Sequence, residues 1–168
     1  MEKEKNLIIV RHAKSSWDIE NIDDKDRPLK QRGIYDAHKM GGRLAALNLN
    51  IDSIYSSNAV RASHTASIFA RVLNIPCGRI ILNESIYDSD EQDLLTFVKN
   101  LDNSQKTVMI FGHNPTCTIF VNHFLSKSIG NLPTSGLAVF SFSTETWANI
   151  GVENMIRSLV DYPKKNDK

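Results

Sequence analysis

The chain has 168 residues, 41% of them hydrophobic, which suits a single folded domain with a substantial core. Its 20 Lys and Arg residues nearly balance its 19 Asp and Glu residues, so charge does not favour nucleic acid or an anionic membrane as a partner. Cys77 and Cys117 are too few for a disulfide framework and lack metal-binding spacing. With no signal-peptide pattern and no membrane-length apolar run, the sequence predicts a cytoplasmic protein.

The first predicted element is a buried strand that ends at Arg11 and His12. Residues 7–10 are continuously aliphatic, as expected of a strand that is covered on both faces. Open α/β sheets bind ligands at the carboxyl ends of their strands, so both side chains fall where a ligand site would be. Arg-His pairs are common and mostly structural. This pair therefore indicates a site only if residues at other strand ends complete it.

Arg61 lies after the second predicted strand. A helix is predicted over residues 33–49, a strand over residues 51–55, and a second helix over residues 59–73, whose apolar residues keep helical spacing. Arg61 falls in the first turn of that second helix, beside free backbone N–H groups and the positive end of the helix dipole. A cation is favourable there if an anion binds beside it. The alternative is a solvated arginine that pairs with a nearby carboxylate.

A third strand end carries His113. The β-branched apolar run over residues 107–111 predicts a strand, and Gly112 permits a sharp turn into a helix that extends to Leu125. Pro115 suits the first position of that helix. A turn histidine bonded to backbone is the alternative. Two arginines and two histidines at three strand ends favour one shared site.

The alternation of strands and helices predicts an α/β fold with three layers, α/β/α, and a mainly parallel central sheet. The carboxyl part departs from this alternation. Residues 137–142 and a second extended stretch between residues 147 and 160 have no clear helix between them, so we expect an antiparallel edge.

Motifs over most of the chain resemble the histidine phosphatase superfamily, and within it the small SixA-type phosphohistidine phosphatases. In order they are VRHAKSSW at residues 10–17, RPL at 27–29 with Gly33, SS at 56–57 with RA at 61–62 and TA at 65–66, GHNP at 112–115, and PTSG at 133–136. The resemblance implies a phosphoglycerate mutase-like fold, His12 as the nucleophile, and phosphoryl binding by Arg11, Arg61 and His113. Ala13 stands where the best-known superfamily motif has glycine, which affects the local backbone more than the chemistry.

These residue types also suit phosphoryl transfer on chemical grounds. A transferring phosphoryl group spreads negative charge over its equatorial oxygens, and arginine forks bind such oxygens in pairs. His12 must attack as neutral imidazole, a form that neighbouring cations favour. The attack produces a phosphohistidine on His12, which water then hydrolyses. We expect no metal and no other cofactor.

Glu84 is the candidate proton donor. It follows another apolar run and matches the position where many superfamily members carry a general acid. A carboxylate at a helix start or in a loop is the alternative. The leaving group decides how much an acid matters, because an alkoxide needs protonation more than the imidazole of a phosphohistidine does.

Three further residues are candidates for phosphate binding. Arg27 is kept extended by Pro28 and could reach the phosphate, although a surface arginine is the alternative. Ser15 and Asn114 could donate to phosphate or only satisfy a turn. With Arg11, Arg61 and His113, they form the predicted phosphate-binding set.

The short segment between Glu84 and His113 bears on the substrate. It has residues for one helix, over residues 91–101, and one strand, so we expect a single histidine phosphatase domain over residues 1–168 without a helical lid insertion. An open pocket favours a metal-independent phosphatase that removes phosphate from phosphohistidine on a protein. A small-molecule phosphomonoesterase or mutase-like enzyme is one alternative, and a non-catalytic phosphate-recognition module is another. The expected partner is a phosphorylated protein or a small phosphomonoester, with no nucleic acid and no membrane.

Overall fold

Six strands form one sheet in the computed structural model, which describes residues 3–167. The strands are β1 (Lys5–Arg11), β2 (Ser53–Ser56), β3 (Ile80–Leu82), β4 (Thr107–Gly112), β5 (Leu137–Phe142) and β6 (Met155–Asp161). The helices are α1 (Gln31–Ala45), α2 (Val60–Val72), α3 (Glu84–Tyr87), α4 (Glu91–Lys99) and α5 (Thr116–Phe124). None of these helices has the length and apolar character needed to cross a bilayer. The predicted domain limits at residues 1 and 168, and the first residues of the amino end, lie outside the described range.

The strand order is β3-β2-β4-β1-β5-β6, with β1 and β4 at the centre. β1 runs parallel to β4, from Asn6 opposite Thr107 to Arg11 opposite Gly112. β2 is parallel to both β4 and β3, whereas β5 is antiparallel to β1 and to β6. The predicted parallel sheet with an antiparallel edge is confirmed, and the carboxyl ends of β1, β2 and β4 meet at one edge.

Helices cover both faces of the sheet, which gives the predicted three layers. Ile8 and Val10 of β1 belong to a buried cluster with residues of α1 and α2 on one face. Leu7 and Ile9 point to the other face and belong to a cluster with residues of α4 and α5. The continuous aliphatic run of β1 is therefore explained by burial from both sides.

Several element boundaries differ from the predicted ones. The first helix spans Gln31–Ala45 rather than residues 33–49: it begins two residues earlier, and it ends before the turn at Asn48, whose φ is 53°. Pro115 precedes α5 instead of opening it. A short helix, α3, was not predicted between β3 and β4; Asn83 caps it by accepting a hydrogen bond from the Ser85 N–H.

Candidate active site

The carboxyl ends of β1 and β4 bring His12 and His113 together. The His12 N–H donates to the carbonyl of Gly112 at 3.0 Å, so the turn after β1 is tied to the end of β4. The two imidazole centroids are 5.1 Å apart, and their planes are tilted by 53°. A cavity of about 380 Å³ opens above them; its lining residues are Arg11, His12, Lys14, Ser15, Trp17, Arg27, Lys30, Arg61, His113, Asn114 and Thr134. The four residues that the sequence placed at three strand ends thus share one cavity.

Hydrogen bonds hold the turn that carries His12. The Ala13 N–H donates to the Thr65 Oγ1 at 2.9 Å, and the Thr65 hydroxyl donates to the Arg61 carbonyl at 2.6 Å. On the other side, the Ser135 N–H donates to the His12 carbonyl at 3.2 Å. The Ala13 methyl group is fully buried in the core, so it fills space at the position where the family motif has glycine. The turn is fixed by its neighbours rather than by glycine.

Gly33 allows α1 to begin close to this turn. A Cβ atom at Gly33 would lie 2.3 Å from the Lys14 carbonyl oxygen, closer than any side chain tolerates. The Lys30 N–H donates to that same carbonyl at 2.8 Å. The missing side chain therefore lets the start of α1 pack directly on the backbone that follows His12 and Ala13.

The ring of His12 is held in the tautomer that a nucleophile needs. Its Nδ1 lies 2.7 Å from the Ala13 carbonyl oxygen, and because a carbonyl only accepts, the ring proton must be on Nδ1. Nε2 consequently keeps its lone pair. Burial, followed by the charges of Arg61, Arg11 and Arg27, lowers the pKa of His12 to about 4, so the ring is neutral near pH 7.

His113 is neutral for similar reasons. Burial is the main cause that lowers its pKa to about 3, followed by the proximity of His12 and Arg61. Its Nε2 lies 2.8 Å from the Ser57 Oγ, which already accepts a bond from the Ala59 N–H at 3.2 Å. If the Ser57 hydroxyl donates its proton to Nε2, the ring proton of His113 is on Nδ1.

Three buried nitrogen atoms of the cavity residues lack hydrogen-bond partners among residues 3–167. They are the Nε atoms of Arg11 and Arg61 and the Nδ1 of His113. Arg11 is anchored at another atom, because its Nη1 donates to the Leu132 carbonyl at 2.9 Å. Buried donors without partners destabilise a folded protein, so a cluster of them indicates a site that an anion completes.

Asp24 holds both Arg61 and Arg27 at the rim of the cavity. Arg61 donates from Nη2 to the Asp24 Oδ2 at 2.9 Å and from Nη1 to its carbonyl at 2.6 Å. Arg27 donates from Nε to the Oδ1 at 3.0 Å. The Tyr87 hydroxyl donates to the Oδ2 at 2.6 Å; this bond, then those from the arginines, holds the pKa of Asp24 well below its usual range. The arginine pairing that the sequence left open as an alternative exists, and it orients the guanidinium groups.

Arg27 and Ser15 contact each other inside the cavity. Arg27 is buried, and its Nη1 donates to the Ser15 Oγ at 2.9 Å and to the Ser16 carbonyl at 3.1 Å. The indole of Trp17 stacks on the same guanidinium, with its ring centroid 3.5 Å from Cζ. Arg27 is therefore a fixed part of the cavity and not a surface arginine.

Asn114 lines the cavity, but its amide is used by the protein. Its Nδ2 donates to the Asn131 Oδ1 at 2.8 Å and to the Leu132 carbonyl at 3.2 Å. Its Oδ1 accepts from the N–H and the hydroxyl of Thr118. The side chain fastens the start of α5 to the neighbouring loop, so phosphate binding through it would break one of these bonds.

Glu84 lies outside the lining of the cavity. It opens α3, its side chain is 78% exposed, and its Oε1 lies 3.2 Å from the Lys25 Nζ. Lys25 in turn lies over the ring of Tyr87, which packs edge-on against His113. To donate a proton to a leaving group, Glu84 would have to leave Lys25, and its role as the acid stays a prediction.

Sequence reasoning missed Asp24 and Tyr87. Asp24 belongs to a single 3-10 turn, Asp24–Asp26, in a charged loop without periodic pattern. The one usable signal is its position three residues before Arg27, a spacing that allows an ion pair in a turn. Tyr87 is at the end of the unpredicted helix α3, and only the fold brings it to Asp24.

The fold and the site together define a class of protein. A family model described as the histidine phosphatase superfamily (branch 1) matches residues 7–86, which include most of β1, His12 and Arg61. Nearly half of the chain, from β1 to α3, is therefore similar to the histidine phosphatase superfamily.

Two solved structures extend the comparison over most of the chain. A protein from Agrobacterium tumefaciens, provisionally assigned as the phosphohistidine phosphatase SixA, is 27% identical with a TM-score of 0.74 over 81% of this chain and 90% of that one. The protein histidine phosphatase SixA complexed with tungstate is 19% identical, with a TM-score of 0.77 over 94% of this chain and 97% of that one. The second likeness shows the fold, and the first adds similarity in sequence.

One curated relative is named as a mutase rather than a phosphatase. The 2,3-bisphosphoglycerate-dependent phosphoglycerate mutase of Rhizobium etli is 32% identical over 90 residues, which are 52% of this chain and 43% of the mutase. The matched segment therefore spans less than half of the length of that relative.

Proposed function

We propose that the chain is a phosphatase that forms a phosphohistidine intermediate on His12 and removes phosphate from phosphohistidine on a protein. The observation that carries the proposal is the hydrogen bond of 2.7 Å between the His12 Nδ1 and the Ala13 carbonyl. It fixes the proton on Nδ1 and leaves Nε2 as a neutral nucleophile in a cavity lined by three arginines. Supporting it, the unpartnered Nε–H groups of Arg11 and Arg61 suit the oxygens of a phosphoryl group.

The reaction has two steps, each of which exchanges one bond to phosphorus for another. In the first, the His12 Nε2 attacks phosphorus, the bond from phosphorus to the substrate nitrogen breaks, and the substrate imidazole, protonated on its other nitrogen, leaves as a neutral ring. The phosphorylated His12 keeps its Nδ1 proton on the Ala13 carbonyl. In the second, water attacks phosphorus, the bond to Nε2 breaks, and both protons of the water leave with the phosphate.

The shape of the cavity mouth supports a large substrate. Between β3 and β4 the chain forms only the short helix α3 and the helix α4 of nine residues, and α4 packs on the face of the sheet against α5. His12 is 8% exposed at the floor of a cavity that opens to solvent. A phosphorylated side chain on a folded protein can therefore approach the nucleophile, as the names of the SixA relatives suggest.

A small phosphomonoester is the second candidate substrate, because of the similarity to the Rhizobium etli mutase over 90 residues. A neutral imidazole nucleophile in a cavity lined by arginines serves either substrate. The choice between the two depends on what surrounds the leaving group.

The test compares hydrolysis of a phosphohistidine-bearing protein, free phosphohistidine and a chromogenic phosphomonoester in the presence of EDTA. We expect chelator-resistant release of phosphate, fastest from phosphohistidine, that His12→Ala abolishes. His123→Ala is the matched control, because His123 lies on the surface end of α5 beside Glu91. Wild-type protein stopped in denaturant should carry a phosphoryl group that is labile in acid and stable in alkali. Phosphate binding without turnover would instead identify a recognition module, and a strong preference for the phosphomonoester would overturn the proposed substrate.

A further inference from the structure

Trp17 is the most unusual residue of the cavity lining, because its side chain is large, apolar and 75% exposed. The other tryptophan of the chain, Trp147, is fully buried, and its Nε1 donates to the Gln105 carbonyl at 2.9 Å. Exposed tryptophans at concave sites commonly serve as contact surfaces for ligands or partners. The position of Trp17 at the mouth of the cavity thus indicates that its side chain contacts a ligand.

One face of the Trp17 indole is already covered. The Arg27 guanidinium carbon lies 3.5 Å from the ring centroid, which is the distance of a tight cation-π stack. Arg27 itself is held by Asp24, Ser15 and the Ser16 carbonyl. The indole therefore rests on a fixed support, and a ligand that stacks on it would lose little rotamer freedom from the protein side.

The direction of the reaction brings the leaving group toward this ring. In-line attack places the leaving atom opposite the attacking nitrogen. Because His12 lies at the buried floor of the cavity, the leaving group faces the mouth, where Trp17 lies. Tyr87 is not an equivalent surface, because its hydroxyl is bound to Asp24 and its ring contacts His113 and Lys25.

We propose that Trp17, supported by Arg27, is a stacking subsite for a planar ring in the leaving group, here the imidazole of the substrate phosphohistidine. The inference rests on the proposed function and adds a reason for its substrate class. A flat heteroaromatic ring stacks on the indole face, whereas an alkyl leaving group has no flat face to offer. The subsite favours phosphohistidine over alkyl phosphates in the same catalytic cavity.

The test measures kcat/KM of wild type, Trp17→Ala and Trp17→Phe with two substrates that share a phosphorus–nitrogen bond. Phosphoimidazole has the ring, and phosphoramidate lacks it. Tyr35→Ala is the matched control: Tyr35 is 62% exposed, lies beside Arg32, and is absent from the cavity lining.

Trp17→Ala should lower kcat/KM for phosphoimidazole about tenfold, the size expected of one aromatic stack, and change that for phosphoramidate less than about twofold. Trp17→Phe should keep most of the activity on phosphoimidazole, and Tyr35→Ala should leave both substrates unchanged. An equal loss on both substrates would mean that Trp17 only supports Arg27, and no loss on either would mean that it contacts no leaving group. Either result overturns the subsite.

Failure of the proposed function can be told apart from failure of the subsite. If wild-type protein does not hydrolyse phosphoimidazole, phenyl phosphate is compared with ethyl phosphate in the same variants. The proposed function is wrong only if phosphohistidine on a protein is not hydrolysed either. A loss in Trp17→Ala confined to phenyl phosphate would still establish a stacking subsite, and equal effects on the two esters would refute it. Titration of His12→Ala with phosphoimidazole should also change the tryptophan emission, and the added Trp17→Phe substitution should remove that change.

Discussion

Each end of β1 carries a cation with a buried nitrogen atom, but the protein satisfies that nitrogen at only one of the two ends. At the amino end, Lys5 is 2% exposed, donates from Nζ to the carbonyls of Asn103 and Gln105, and lies over the ring of Trp147. At the carboxyl end, the Nη1 of Arg11 donates to the Leu132 carbonyl, but its buried Nε has no partner among residues 3–167. A strand seven residues long thus joins a completed structural site to an incomplete one. The difference separates burial that stabilises the fold from burial that prepares a ligand site.

The largest effect on activity is expected at the cavity, beside the carboxyl end of β1. Arg61→Ala removes donors for the equatorial oxygens and should lower kcat/KM by about 100- to 1,000-fold, as the loss of a charged transition-state donor does elsewhere. Its effect on the free energy of unfolding should stay near about 1 kcal/mol, because Asp24 keeps its bonds to Tyr87 and Arg27. Steady-state kinetics and urea unfolding measure the two quantities. Arg71→Ala, on the exposed last turn of the same helix, is the control; a loss in activity below about fivefold would argue against the phosphoryl role of Arg61.

At the amino end of β1, a substitution should lower stability and leave activity nearly unchanged. Lys5→Met removes the Lys5 bond to the Asn103 carbonyl and one of the two bonds to the Gln105 carbonyl, which still accepts from the Trp147 Nε1, and should lower the free energy of unfolding by about 1 kcal/mol. The kcat/KM of the folded protein should change less than about twofold, since the cavity is at the other end of the strand. Lys3→Met, which removes only an exposed pair with Glu145, is the control. If folded Lys5→Met protein also lost kcat/KM well beyond twofold, the amino and carboxyl ends of β1 would not be independent.

The smallest expected effect is the loss of folding stability as the pH falls below 7. His12 and His113 have pKa values lowered to about 4 and about 3, so both are neutral when folded, whereas an unfolded histidine titrates near about 6.5. Below that value the unfolded chain binds protons that the folded chain does not, and the free energy of unfolding falls as pH falls toward 4. For each histidine the loss between pH 7 and pH 5.5 is about 1 kcal/mol. Denaturant titrations should show a shallower decline for His113→Gln than for wild type, and identical slopes would mean that His113 is not buried in its neutral form.

Much of the fold follows from local sequence pattern. The bounds predicted for β5 agree with those of the structure, and the apolar runs within β1 and β4 predicted both strands, since strands covered on both faces need no alternation. The collection of Arg11, His12, Arg61 and His113 in one cavity follows from the geometry of parallel strand ends.

What sequence reasoning did not provide depends on tertiary contacts. Asp24 approaches Arg61 only because the loop between β1 and α1 folds over the start of α2, and no periodic signal marks that loop. The amide of Asn114 is committed to Asn131 and Thr118 by the same kind of contact. Glu84 was placed by analogy of position, and its orientation toward Lys25 depends on packing that the sequence does not encode locally.

The unpartnered nitrogens of the cavity also link folding to the surrounding solution. An anion that accepts from the Arg11 Nε and the Arg61 Nε binds the folded chain and not the unfolded one. Such a ligand at a hundred times its dissociation constant adds about 2.7 kcal/mol to the free energy of unfolding. Inorganic phosphate, the product of the proposed reaction, is such an anion. The phosphate concentration of the medium would then set both the occupancy of the cavity and how firmly the chain stays folded.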